Sequence, residues 1–144
     1  MSNQKVLVPV DFTPESDIAL DMALSYCYAV KADLYVFHVI ENPPKSFLDI
    51  DKLNAELLEK MKSLVVSAVD RAAKDGRSHV VEDVYRRIDS GKAWHSILSM
   101  AGNLNADMIV MGHHPKGSTW KKVLEKAPCT VVLAREKDID FVLK

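Results

Sequence analysis

The amino-acid sequence predicts a three-layer α/β domain, a doubly wound five-stranded parallel sheet with helices on both faces. Three observations carry this. Apolar runs of strand length alternate with segments of helical periodicity along the chain. The runs are nearly continuous, as in Val6–Val10 (VLVPV) and Leu34–Ile40 (LYVFHVI), which suits strands covered on both faces. No linker, repeat or low-complexity stretch divides the 144 residues, and a 48% hydrophobic content is enough to fill one core, so residues 1–144 are expected to form a single domain. Successive parallel strands then require right-handed crossovers.

Val6–Val10 is the first strand. Thr13-Pro14-Glu15 follows, a hydroxyl cap, a proline at the first helical position and an early acid, which together mark a helix start. Ala19, Leu20, Ala23, Leu24, Cys27 and Val30 fall on one face of that helix. Leu34–Ile40 is the second strand, closed by Asn42-Pro43-Pro44. Lys45–Ile50 reads as a loop or a short helical turn. Leu53, Leu57, Met61, Leu64, Ala68 and Ala72 define a long amphipathic helix that stops near Asp75-Gly76. His79–Arg87 is a third strand, with Glu82, Asp83, Arg86 and Arg87 suited to a sheet edge. Ile88–Gly91 is a turn. Trp94, Ile97, Leu98 and Ala101 mark the third helix, Ala106–Met111 the fourth strand, Ser118–Lys126 the fourth helix and Thr130–Ala134 the fifth strand. The tail Glu136–Lys144 ends in the apolar FVL.

Composition narrows the function. A net charge of -1 gives no basic excess for nucleic acid. The longest apolar runs are too short to span a bilayer. The N-terminus enters a strand without a charged-then-apolar leader, so a cytoplasmic protein is expected, with Cys27 and Cys129 as reduced thiols. No nucleophile stands beside an activating base and no carboxylate dyad is evident, which points to binding rather than a strong catalytic cycle.

In such a sheet, ligands sit beyond the C-terminal strand ends where the strand order reverses. Asp11 and Phe12, Val39–Glu41 and Gly112 onward are therefore the candidate walls. Gly112–Thr119 (GHHPKGST) joins the fourth strand to the fourth helix, whose first turn offers unpaired N–H groups to an anion. The segment imitates a P-loop, but Ser118 stands where that motif needs lysine. His113 and His114 are neighbours on an extended chain and point apart, with no third ligand nearby, so they read as solvated loop residues rather than a metal site.

The sequence resembles the universal stress protein family over nearly its whole length. The likeness runs through VLVPVDFTPES (Val6–Ser16), HVI (His38–Ile40) and SGKAWHSIL (Ser90–Leu98). It is sharpest in ADMIVMG (Ala106–Gly112) and GSTWKKVLEKAPCTVVL (Gly117–Leu133). The resemblance implies strand order 3-2-1-4-5, a dimer and a role in stress resistance, with ATP bound by some members and not by others. ATP-binding members share a pattern of glycine, two residues, glycine, nine residues, then glycine and Ser or Thr. Gly112 matches the first glycine and Gly117-Ser118 the last pair. Only His113, His114, Pro115 and Lys116 stand between, about eight residues fewer, so fewer N–H donors remain, and Pro115 removes one more.

The resemblance implies Gly112, Gly117, Ser118 and Thr119 as phosphate-facing residues, with Asp11 and Val39 at the base end; Pro9 and Met111 complete the candidate set. Asp11 either accepts from an adenine amino or ribose hydroxyl group or caps the first helix beside Thr13. Val39 is expected to be core in either case. Trp120 either stacks on a base or fills the space of the missing loop. The expected function is stress-response regulation with a degenerate, weak or absent ATP site. The alternatives are an ATP- or AMP-dependent switch, with magnesium only alongside a nucleotide, and a slow nucleotide hydrolase. In the order 3-2-1-4-5 the fifth strand is an uncharged edge, so a homodimer through Thr130–Ala134 is expected. The apolar tail Ile139–Leu143 is a candidate cover for that edge or the partner.

Overall fold

The structure, a computed structural model, describes residues 3–74, 76 and 84–135. Its elements are β1 (Lys5–Pro9), α1 (Pro14–Val30), β2 (Asp33–Ile40), α2 (Phe47–Lys74), β3 (Val84–Ser90), α3 (Ala93–Leu104), β4 (Met108–Gly112), α4 (Thr119–Lys126) and β5 (Thr130–Ala134). The five strands form one parallel sheet of order β3-β2-β1-β4-β5.

The period-two alternation of each strand divides the core into two layers. Val6 and Val8 of β1, Leu34 and Val36 of β2 and Val110 of β4 pack against α1 and α2, with Ala19, Leu20, Ala23, Leu24, Met61 and Val65. Leu7, Phe37, Ile109 and Met111 face the other way, toward Ile97 and Ala101 of α3 and Val123 of α4. Register keeps these sets together: Val6 lies beside Leu34 on one side and Met108 on the other.

α1 begins as its sequence signature requires. Thr13 is the N-cap, its side chain accepting from the Ser16 N–H, with proline in the first turn. The helix ends at Lys31, whose left-handed backbone (φ 58°) lets its N–H reach the helix's last turn. Val30 is 46% exposed and leaves the buried face expected for it, because the final turn runs past the sheet.

One open alternative is decided and one boundary differs from expectation. α2 starts at Phe47, and the Lys45–Ile50 stretch is mostly helical; Phe47 and Leu48 are exposed, so this turn has no apolar periodicity to betray it. β3 continues through Ser90, with Ile88, Asp89 and Ser90 paired to His38, Val39 and Ile40, so the expected Ile88–Gly91 turn shrinks to Gly91 (φ 140°). The long β2 supplies the partner that keeps β3 extended. The first part of the expected His79–Arg87 strand, with Glu82 and Asp83, lies outside the described residues, as do Asp75 and the Ile139–Leu143 tail. Among the described residues no helix is long and apolar enough to cross a membrane.

Candidate functional site

The strand order reverses between β1 and β4. Their connections leave toward opposite faces, α1 to one and α4 to the other, and a crevice opens at their C-terminal ends. A cavity of about 260 Å³ lies there. Seven of the eight candidate residues line it: Pro9, Asp11, Val39, Met111, Gly112, Gly117 and Thr119. Ser118 is exposed and is not among the lining residues. It holds the N-cap position of α4 with helical backbone angles (φ -111°, ψ -18°) and makes no side-chain cap bond, since a capping side chain reaches back from extended backbone. Val39 is half-buried and faces the cavity at the margin of the core.

Gly112 is where β4 passes under the first turn of α1. A Cβ there would lie 2.8 Å from the Glu15 carbonyl carbon and 2.9 Å from the Ser16 nitrogen. The absence of a side chain is thus required by helix–strand packing, whatever else the position does.

Asp11 is neither a plain helix cap nor a free carboxylate. Its Oδ1 accepts from the Thr13 N–H at 3.2 Å and from the Thr13 hydroxyl. Its Oδ2 lies 3.0 Å from His114 Nε2. A carboxylate only accepts, so Nε2 carries the proton, and the same nitrogen lies 3.3 Å from Thr13 Oγ1. His114 Nδ1 stands 3.6 Å from Glu15 Oε2. Burial alone would raise the Asp11 pKa, but the Thr13 hydrogen bonds and the charge of His114 outweigh it and hold the carboxyl below its ordinary value. His114 is therefore a cross-cleft partner of Asp11, not the solvated loop residue expected from its sequence. His114 is no base for Thr13, because the nitrogen nearest the hydroxyl is already a donor, and the hydroxyl itself donates to Asp11 Oδ1.

The loop is braced from below. The Trp120 indole N–H donates to the His114 carbonyl at 2.8 Å, and its ring lies 4.6 Å from that of His113. Trp120 lines the cavity rather than turning to solvent, and so takes part of the space beside the short connection. On the opposite wall, His38 Nδ1 donates to the Val10 carbonyl at 2.7 Å, and its ring lies 4.8 Å from Phe12. Phe12 adopts a left-handed backbone (φ 63°), an uncommon conformation for an aromatic residue, and Lys60 of α2 covers its ring at 4.4 Å.

Three helices point their N-termini at this crevice region, and two are already occupied. α1 is capped by Thr13, and Glu41 Oε2 accepts from the Ala93 N–H at the start of α3. α4 has neither a side-chain cap bond nor an acid in its first turn. It retains donors and positive potential for an anion. Sequence reading identified this loop and Asp11. It missed the wall formed by His38 and His114, whose partners are distant in the chain.

Comparison with known proteins agrees with the fold. The profile of the Universal stress protein family matches residues 2–135. The chain is 25% identical over 152 aligned positions to universal stress protein A homolog 1 of Coxiella burnetii, covering 96% of this chain and 100% of that protein. Among solved structures, it resembles a universal stress protein in complex with cAMP (TM-score 0.66, 20% identity, 93% of this chain and 98% of that one). It also resembles the universal stress protein from Archaeoglobus fulgidus in complex with dAMP (TM-score 0.67, 19% identity, 93% and 99%). Matched in sequence from end to end of its described residues and in the order of its strands, the chain belongs to the universal stress protein family.

Proposed function

We propose that this domain is a stress-response regulatory protein that binds an adenine nucleotide with a single phosphate in preference to ATP, without a catalytic cycle. The observation that carries the reading is the four-residue connection from Gly112 to Gly117, folded down onto Asp11 by His114 and underpinned by Trp120. The apolar wall of Pro9, Val39 and Met111 suits a base. Asp11 suits a ribose hydroxyl, because it can only accept. The start of α4, from Gly117 to Thr119, suits one phosphate. The cavity, about 260 Å³, is below the roughly 300–1,000 Å³ of most ligand pockets, and nothing in the short loop extends to wrap further phosphates. The ligands of the two similar structures, cAMP and dAMP, each carry one phosphate.

Calorimetric titration with AMP, ADP and ATP, with and without magnesium, tests the reading. AMP should bind, additional phosphates should not tighten binding, and magnesium should make no difference. Submicromolar, magnesium-dependent ATP binding would overturn it. Absence of binding by all three would leave a ligand-independent interaction module.

The same reading includes a homodimer through β5. Thr130–Ala134 carries no charge, and Val131, Val132 and Leu133 are only half-buried at the sheet edge. Light scattering at micromolar concentration should show two chains, and Thr130→Lys should return one; a strict monomer in the wild type refutes the dimer. The two free thiols, Cys27 and Cys129, fit a reducing cytoplasm.

A further inference from the structure

The acceptor that a bound nucleoside would use already holds a partner on its Oδ2. We propose that His114 is an autoinhibitory latch on the cleft: in the free protein it occupies Asp11, and a nucleotide enters only by breaking that contact. The inference rests on the adenine-nucleotide reading above and adds its regulation.

His114 is tied at both ends. Its side chain reaches across to the connection between β1 and α1, at 3.0 Å from Asp11 Oδ2 and 3.3 Å from Thr13 Oγ1. Its carbonyl oxygen accepts from the Gly117 N–H at 2.9 Å and from the Trp120 indole N–H at 2.8 Å. One residue therefore holds the acceptor offered to a hydroxyl and two donors at the end of the cleft offered to phosphate. Release of the His114 side chain frees Asp11 Oδ2, and the two donors follow when the His114 backbone moves with it.

The surroundings confine this movement to a short stretch of chain. Upstream, Gly112 is pinned beneath α1 and the His113 N–H donates to the Ala134 carbonyl at 2.8 Å, so the loop cannot shift from its base. Downstream, the loop meets α4 within a few residues. The freedom that remains is rotation of His114 and the backbone just after it, and Trp120 must respond. Apparent affinity is then the intrinsic affinity multiplied by the fraction of molecules with the latch open.

Two measurements decide it, one without any ligand. Hydrogen exchange of the indole protons is followed by NMR in the wild type, His114→Ala and His114→Gln, with Trp94 as internal reference. His114→Ala should speed exchange of the Trp120 indole about fivefold, the scale of a half-exposed charged contact, and leave Trp94 unchanged. His114→Gln, whose amide can still donate to Asp11, should fall between. AMP should then bind His114→Ala about fivefold more tightly than wild type, with His114→Gln again intermediate. Unchanged Trp120 exchange overturns the latch whatever AMP does. Weaker AMP binding by His114→Ala also overturns it and makes His114 a ligand contact instead. Faster exchange with no AMP binding by any of the three proteins overturns the gate through failure of the nucleotide reading, while the closed contact itself stands.

Discussion

Replacing Gly112 with alanine tests whether the site's first glycine is there for packing. The added methyl would lie 2.8 Å from the Glu15 carbonyl carbon, 2.9 Å from Glu15 Cβ and 2.9 Å from the Ser16 nitrogen. Two of these are backbone atoms in the first turn of α1, where Thr13, Ser16 and Asp11 are joined by hydrogen bonds. They cannot rotate away as a side-chain tip would. The helix must move by about 0.6 Å to restore ordinary contact, and overpacking against backbone belongs to the upper part of the roughly 1–3 kcal/mol range. An expected loss of about 2–3 kcal/mol corresponds to a fall in Tm of about 6–12 °C for a chain of this size. Thermal and urea unfolding followed by circular dichroism measure it, and an unchanged urea m-value would locate the effect in stability rather than in compactness. Gly117→Ala is the control. Its methyl meets His114 Cβ at 3.1 Å in a surface loop that can yield, so the loss should stay below about 1 kcal/mol. A Gly112→Ala protein within 0.5 kcal/mol of wild type, or a Gly117→Ala protein that is less stable than it, would refute the packing argument.

Two further predictions concern charge. The Asp11 carboxyl is lower in pKa in the folded protein than in the unfolded chain, where aspartate titrates near about 3.9. Its stabilising contribution is therefore present above that value and lost as pH falls through the lower folded value. Urea midpoints of wild type and Asp11→Asn should accordingly converge below about pH 4, and a constant difference down to pH 2.5 would contradict the assignment. Cys27 is buried, and that burial, with Asp33 nearby, pushes its thiol up to about 12. At pH 8 iodoacetamide should leave it unmodified until the protein unfolds, whereas half-buried Cys129 should react slowly in the native state; mass spectrometry of native alkylation separates them.

Much of the architecture was legible because it is written in local pattern. β1 and β4 are short continuous apolar runs, and the structure covers both of their faces. Thr13-Pro14-Glu15 specified a helix start, and the Ser16 N–H donates to Thr13. The family resemblance supplied the strand order, which periodicity alone could not. What escaped lacks a local signal. The first turn of α2, left open between loop and helical turn, carries exposed Phe47 and Leu48 and so has no amphipathic rhythm to decide it. The end of β3 is extended because β2 is long enough to pair with it, a property of another segment. Within the site, the glycines and Asp11 are recognisable from strand ends and spacing. His114 is not, because its meaning comes from Asp11, 103 positions away in the chain. Ser118 shows the reverse: a good motif position whose backbone conformation leaves it outside the cavity lining.

The two margins of the sheet are unlike. Along β3, Arg86 and Arg87 stand in solvent, and a chain laid against them would bring like charges together. Among the described residues, β5 itself carries no charge. A sheet receptive at both sides could add copies endlessly and grow into a fibre. With one side barred, the proposed dimer would consume the receptive margin of each participant, and growth would halt at a closed pair.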